Sequence, residues 1–182
     1  MHVVDDVILA GWVVFAFYWV AASVGVKAGR TRWARWAGIR VAIILIVLLL
    51  LRIRVLTGHA VTDDPWLAGI GLAIFLLGLA LAAWARVYLG RNWGTAMSEK
   101  ADPELVTTGP YRTIRHPIYS GIILAMIGTA VAVSFFWLIP AVLLGAYCLY
   151  SAVMEERYMA RLFPDAYPRY KKSTKMLIPF VF

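Results

Sequence analysis

Apolar runs long enough to cross a lipid bilayer take up most of this chain, and short basic segments separate them. Residues 7–26 form an almost uninterrupted apolar run, and about twenty such residues span about 30 Å of hydrocarbon as a helix. Further runs cover residues 41–56, 66–89, 118–133 and 135–154. The pattern predicts an all-α integral membrane bundle of about five transmembrane helices.

The composition supports lipid as the solvent of this protein. Hydrophobic residues make up 62% of the 182 residues and charged residues 15%. In soluble domains about half of the residues are hydrophobic and about a quarter are charged. The segments outside the apolar runs are too short to fold alone. We therefore predict one membrane domain over residues 1–182, in which three spans within residues 1–89 precede a functional half within residues 90–182.

Basic residues predict the orientation of the chain. The net charge is +8, and most lysines and arginines fall in segments 27–40, 90–116 and 155–175. Such a bias in short loops marks the cytoplasmic side, which places the N-terminus outside and the C-terminus in the cytoplasm. Because the basic residues flank spans and no nucleic-acid-binding fold is visible, we predict no nucleic-acid partner. The single Cys148 and three scattered histidines predict neither a disulfide nor a metal site.

A segment with polar side chains suited to ligand binding precedes the fourth span. Gly109-Pro110 is a turn signal, and Pro117 suits the first turn of a helix. This segment brings His116 and Tyr119 to a helix N-terminus, where free N–H groups and the helix dipole favour an anion.

Two acidic residues, Glu155 and Glu156, end the fifth span. A tight connection near Ser134 predicts a helical hairpin from spans four and five, so the start of one lies beside the end of the other. We expect His116 and Tyr119 to face one of these acids. Glu155 is predicted to lie in the pocket, and Glu156 to be a solvated charge.

The second half of the chain combines several motifs: Leu-Val-Thr-Thr-Gly-Pro-Tyr at 105–111, Arg-His-Pro-Ile-Tyr-Ser-Gly at 115–121, the hairpin, Glu155-Glu156, and Phe-Pro-Asp-Ala-Tyr-Pro-Arg-Tyr at 163–170. Together they resemble the motifs of the isoprenylcysteine carboxyl methyltransferase family, and more broadly those of the membrane methyltransferases that include bacterial phospholipid N-methyltransferases. The resemblance covers about half of the chain, from Asn92 to the C-terminus.

The resemblance implies S-adenosyl-L-methionine (AdoMet) as the cofactor, bound in a cytoplasmic pocket. Glu155 is the implied partner of the cofactor ammonium, and Tyr111 or Tyr119 could face the sulfonium through a cation–π contact. His116 and backbone N–H groups would bind the cofactor carboxylate. The implied pocket residues are Glu104, Leu105, Val106, Tyr111, His116, Pro117, Ile118, Tyr119 and Glu155.

The expected activity is AdoMet-dependent methyl transfer to a lipophilic small molecule or lipid, with carboxyl O-methylation at the cytoplasmic membrane face as the first choice. Ser151 stands where the eukaryotic prenylcysteine enzymes carry an arginine implicated in substrate binding, so the acceptor stays open. The alternatives are phospholipid or amine N-methylation, an NADPH-dependent membrane reductase of the sterol type, and a non-catalytic structural protein. No catalytic residue or general base, and no oligomeric state, is predicted.

Overall fold

A computed structural model describes residues 2–22, 29–30, 64–92, 99–100 and 104–179, and within them the fold is helical. The helices are α1 (His2–Ala21), α2 (Pro65–Leu89), α3 (Pro117–Ala132), α4 (Leu138–Leu162) and α5 (Ala166–Ser173). Single 3-10 turns cover Gly90–Asn92, Gly109–Arg112 and Phe135–Trp137. The predicted all-α membrane fold class is confirmed.

Among the described residues, three stretches are long and apolar enough to cross a membrane: Val3–Ala21, Pro65–Leu89 and Phe135–Leu162. They correspond to the first, third and fifth predicted spans. The fourth, α3, is a shorter apolar helix of 16 residues. The second predicted span, with Arg52 and Arg54, lies outside the described residues.

Two predicted span boundaries are wrong. Helix α1 begins at His2 and ends at Ala21, five residues before the predicted end of the first span at Val26. Helix α4 continues through Glu155 and Glu156 to Leu162 instead of ending at Met154. The added segment consists largely of good helix formers. The helix stops at its C-cap Phe163, because Phe163 precedes Pro164 and a residue before proline disfavours the helical conformation.

Helices α2 and α3 pack antiparallel along a seam of small residues. A methyl group added at Gly78 would come within 2.6 Å of the Gly121 carbonyl oxygen, and one added at Gly121 would come as close to the Ala82 nitrogen. Gly71 and Gly128 are restricted in the same way by backbone of the facing helix. Such small residues let membrane helices approach closely. Gly69, on the same helix as Gly71 and Gly78, instead faces open space.

Helix α1 covers this pair from one side. Its Ile8 is buried with Phe75 of α2 and Ala132 of α3, and Gly11 leaves room for the Phe75 ring. Trp12 Nε1 donates a hydrogen bond to Thr129 Oγ1 at 3.1 Å. These contacts fix α1 against both helices of the seam.

Three connecting segments meet at the end of the bundle where α3 begins. Gly29–Arg30 (β1) pairs antiparallel with Glu99–Lys100 (β2). Ile114 forms a parallel bridge with Lys175, which lies after α5. The buried Arg86 donates hydrogen bonds to the carbonyl oxygens of Gly90, at 2.8 Å, and Ala22, which ties the ends of α1 and α2 together on this side.

The seam makes a direct stability prediction. We expect Gly78→Ala to lower the unfolding free energy by about 1–3 kcal/mol, because the added methyl group forces two backbones apart. Gly69→Ala, in the same helix, is the control and should unfold at or above the wild-type temperature, since alanine favours the helix. Thermal unfolding in detergent measures both, and equal effects of the two changes would contradict the seam.

Candidate active site

The loop that leads into α3 is shaped by Gly109 and sealed by tyrosines. Gly109 has φ +59°, and a side chain there would collide with the Tyr88 ring. The next turn buries Tyr111, whose carbonyl oxygen accepts a hydrogen bond from the Tyr170 hydroxyl of α5 at 2.7 Å. The loop is thereby fixed by α2 on one side and, on the other, by the C-terminal segment, which comprises α5 and the residues after it.

The C-terminal segment also fixes the backbone of His116, the N-cap of α3. The N–H groups of Arg115 and His116 donate to the carbonyl oxygens of Lys175 and Met176, at 2.8 and 3.1 Å. Ser120 Oγ donates to the Leu177 carbonyl oxygen at 2.5 Å. The start of α3 is therefore positioned by residues some sixty positions later in the chain.

Glu155 meets the start of α3, as the hairpin predicts. The Tyr119 hydroxyl donates to Glu155 Oε1 at 2.6 Å, and Glu155 Oε2 lies 3.5 Å from His116 Nδ1. The Glu155 side chain keeps 30% of its surface exposed. This carboxylate therefore has room to accept a further hydrogen bond from a ligand.

His116 lies between two acids. Its ring stacks on Tyr119 with centroids 5.6 Å apart and an interplanar angle of 6°, and its Nε2 lies 3.6 Å from Glu156 Oε1. Burial alone lowers the pKa of His116, but the carboxylates of Glu155 and Glu156 outweigh burial and raise that pKa above its ordinary value.

Glu156 is the anion of a buried ion cluster, so its prediction as a solvated charge is wrong. Its side chain is only 5% exposed. Arg115 Nε donates to Oε1, and Lys171 Nζ to Oε2, each at 2.6 Å. Arg115 Nη1 also donates to the Thr174 carbonyl oxygen at 2.5 Å. The continued helix explains the difference, because it turns Glu156 inward one turn after the buried Ala152.

An apolar cluster adjoins the polar one. Its buried members are Ala85, Tyr111 and Ile118, and Trp19, Leu89, Val106, Tyr119 and Ile122 pack against them. Tyr119 belongs to both clusters, since its hydroxyl bonds Glu155 while its ring packs here. Burial, with Tyr170 and Glu155 nearby, raises the pKa of Tyr111, so that phenol stays neutral. Pro117 is fully buried at the start of α3.

The remaining predicted pocket residues lie just before the turn. Glu104 accepts a hydrogen bond from Asn92 Nδ2 at 2.8 Å, and Asn92 is itself buried after α2. Leu105 is half-buried. The structure thus joins His116, Tyr119 and Glu155 directly, and Val106, Tyr111 and Ile118 through the apolar cluster. The role of all nine residues in binding a cofactor stays a prediction.

The residues that hold the site together were not predicted. Arg115 was not paired with Glu156, Lys171 counted only among the basic residues of segment 155–175, and Tyr170 had no role beyond its place in the motif at 163–170. One signal was available: buried Cys148 and Ala152 lie on one face of α4, and a further step of four residues along that face reaches Glu156.

The ion cluster predicts a stability difference between two of its members. Glu156→Gln leaves the buried Arg115 without its counter-ion, which typically costs about 3–5 kcal/mol. Lys171→Met should cost at most about 1 kcal/mol, because the Lys171 side chain is 52% exposed. Thermal unfolding in detergent compares the two, with limited proteolysis reporting release of the C-terminal segment. An unchanged unfolding temperature for Glu156→Gln would contradict a structural role for the cluster.

The protein is thus a helical membrane protein in which an imidazole, a tyrosine and a carboxylate meet at the start of one helix. Its sequence similarity to known proteins identifies the class to which it belongs. The family model for phospholipid methyltransferases matches residues 66–166, more than half of the chain. The chain therefore belongs to the phospholipid methyltransferase family, which confirms the predicted resemblance to membrane methyltransferases.

The chain is also similar to proteins with several different described functions. The nickel-cobalt-cadmium resistance protein NccN of Alcaligenes xylosoxydans xylosoxydans is 30% identical over 77% of this chain and 64% of its own length. Protein-S-isoprenylcysteine O-methyltransferase B of Arabidopsis thaliana is 29% identical, over 64% and 61%. Methanethiol S-methyltransferase 1 of Bradyrhizobium diazoefficiens is 37% identical, over 65% and 44%. The chain spans less than two thirds of the length of these relatives.

Proposed function

We propose that this protein transfers a methyl group from AdoMet to a lipophilic acceptor at the cytoplasmic face of a membrane. The observation that carries the proposal is Glu155, a partly exposed carboxylate held by Tyr119 beside His116, inside the segment that the methyltransferase family model matches. A partly exposed acid at that place is suited to bind the ammonium group of the cofactor.

The described residues fit the other polar end of AdoMet as well. Helix α3 begins at Pro117, so its first-turn N–H groups, starting with that of Ile118, are available for a carboxylate. In this assignment the two charged groups of the amino-acid part lie between the start of α3 and Glu155. His116 lies beside Glu155, on the ammonium side of the site.

The apolar cluster fits the adenine end of the cofactor. Val106, Tyr111 and Ile118 supply apolar and aromatic surface next to the polar residues. Glu104 and Leu105 precede this surface in the chain and are proposed to complete it. When bound, AdoMet supplies an electrophilic methyl group on a sulfonium. The chain aligns and encloses it, with the Tyr111 or Tyr119 ring facing the positive charge.

The acceptor is proposed to be a lipid or another lipophilic molecule, methylated on a carboxylate. The relatives named for their reactions act on an isoprenylcysteine oxygen or on methanethiol sulfur, so the family accommodates different nucleophiles. A carboxylate needs no general base, which agrees with a site whose acids are engaged by Tyr119, Arg115 and Lys171.

The cytoplasmic location rests on the basic segments of the sequence. The pairing of Gly29–Arg30 with Glu99–Lys100, and of Ile114 with Lys175, brings the segments of the predicted cytoplasmic loops and tail together. This arrangement supports one common side for all three. Their positive charge favours the cytoplasm as that side.

Cofactor binding is the first test. Titration calorimetry of AdoMet into the detergent-solubilised chain should show saturable binding, with NADPH as the comparator. Glu155→Gln should weaken binding about ten- to a hundred-fold, as expected when a charged hydrogen bond to a ligand is lost. Asp165→Asn, which removes an exposed carboxylate near the start of α5, is the charge-matched control and should bind as wild type does.

Each other outcome has a definite meaning. Folded protein that does not bind AdoMet would overturn the proposal. Binding of NADPH instead would favour a reductase, and binding of neither would favour a structural role. Equal weakening by Glu155→Gln and Asp165→Asn would remove Glu155 from the ammonium site.

The acceptor chemistry has its own test. Membranes containing the protein are supplied with AdoMet labelled in its methyl group, and extracted lipids are then treated with mild base. A carboxyl methyl ester releases labelled methanol, whereas a methylated amine retains the label. Release is expected, and it should be lost in Glu155→Gln. Label that resists base would replace O-methylation by N-methylation and leave AdoMet use intact.

A further inference from the structure

His116 is enclosed by carboxylates in a way that favours its protonated form. Its Nδ1 lies 3.5 Å from Glu155 Oε2 and its Nε2 lies 3.6 Å from Glu156 Oε1, with 10% of the side chain exposed. A neutral imidazole carries one N–H and one lone pair, so one of the two acids would face a lone pair. The imidazolium presents an N–H to each.

The two acids are not equivalent partners of that charge. Glu156 already receives Arg115 Nε on the oxygen that faces His116 and Lys171 Nζ on the other. Glu155 receives the neutral hydroxyl of Tyr119. The charge on His116 is therefore balanced chiefly by Glu155. The His116 ring is held in place by the stacked Tyr119 ring.

The ligand proposed for Glu155 brings a competing cation to the same carboxylate. Like charges a few ångströms apart repel, and the group with the pKa nearest neutrality gives up its charge first. Of the two groups that can lose a proton, the imidazolium and the ammonium, the imidazolium does so at the lower cost. The sulfonium has no acidic proton and keeps its charge. Arg115 and Lys171 on Glu156 add positive charge on the other side of the ring.

We propose that His116 releases a proton when AdoMet binds, because the cofactor ammonium replaces the imidazolium as the partner of Glu155. This inference rests on the proposed function. The bond that breaks is the N–H at Nδ1 of His116, and the proton passes to the solvent. The cofactor arrives with its ammonium and carboxylate unchanged.

Two measurable effects follow. Binding releases up to one proton per cofactor, and AdoMet affinity rises as pH rises toward the pKa of His116 in the free protein. Between the pKa of His116 in the complex and that in the free protein, the affinity gains up to about tenfold per pH unit. A role of His116 as the ligand of the cofactor carboxylate requires the opposite, a proton retained or taken up.

The experiment is calorimetry of AdoMet binding to the full chain at about pH 6.5, where an α-amino group stays protonated, in phosphate and in imidazole buffer. The difference in binding enthalpy between buffers of different ionisation enthalpy counts the protons exchanged. Net release is expected for AdoMet and for S-adenosylhomocysteine, which keeps the ammonium. 5′-Methylthioadenosine, which lacks the amino-acid part, should bind with no release.

Variants locate the proton. His116→Asn should bind AdoMet with no net release and with affinity independent of pH over this range. His2→Asn, at the start of α1 and at the opposite end of the bundle from His116, should behave as wild type does. Proton uptake, no exchange in wild type, or release that persists in His116→Asn each overturns the inference while leaving AdoMet binding intact. Absence of AdoMet binding in folded wild type overturns the proposed function and this inference together. The ligand comparison on wild type needs no variant to fold.

Discussion

The buried carboxylate of Glu156 is the interaction on which the arrangement of the site depends. It joins three parts of the chain that are far apart in sequence: Arg115 before α3, Lys171 in α5, and α4, which carries Glu156 itself. Removing charge from water is costly, so a buried anion is tolerated only with well-placed cations. Here those cations come from the segments that must stay together for His116, Tyr119 and Glu155 to meet.

The seam of α2 and α3 gives this end of the bundle a fixed base. Gly78 and Gly121 bring the two backbones into contact, and Gly109 seats the loop against Tyr88. Helix α3 therefore cannot shift far without losing main-chain contacts. The polar residues at its first turn are held from below by the seam and from the side by the C-terminal segment.

The sequence contains enough information to predict the juxtaposition but not its support. Apolar runs of bilayer length and a tight connection near Ser134 predict that His116 and Tyr119 meet Glu155, because a hairpin has only one way to align its ends. The continuation of α4 to Leu162 was missed, since polar residues after an apolar run were interpreted as the end of the helix. Because the helix boundary was wrong, the inward orientation of Glu156 was missed as well.

The long-range pairings were beyond the reach of sequence patterns for a different reason. The bond from Tyr170 to the Tyr111 carbonyl oxygen and the bridge between Ile114 and Lys175 depend on how the tail folds back over about sixty residues. Neither has a periodicity or a spacing that marks it. The glycines of α2 likewise do not reveal which face of the helix meets its neighbour: Gly71 and Gly78 contact α3, whereas Gly69 faces open space.

The seam also determines which genetic changes can compensate for one another. At Gly11 the nearest atoms to an added methyl group belong to the Phe75 side chain, so a smaller residue at 75 can act as a suppressor. At Gly78 the nearest atoms are backbone of α3, and no substitution in the partner helix can remove them. Compensation is therefore possible on the α1 side of the bundle, whereas at Gly78 the nearest atoms include no side chain that a second mutation could shorten.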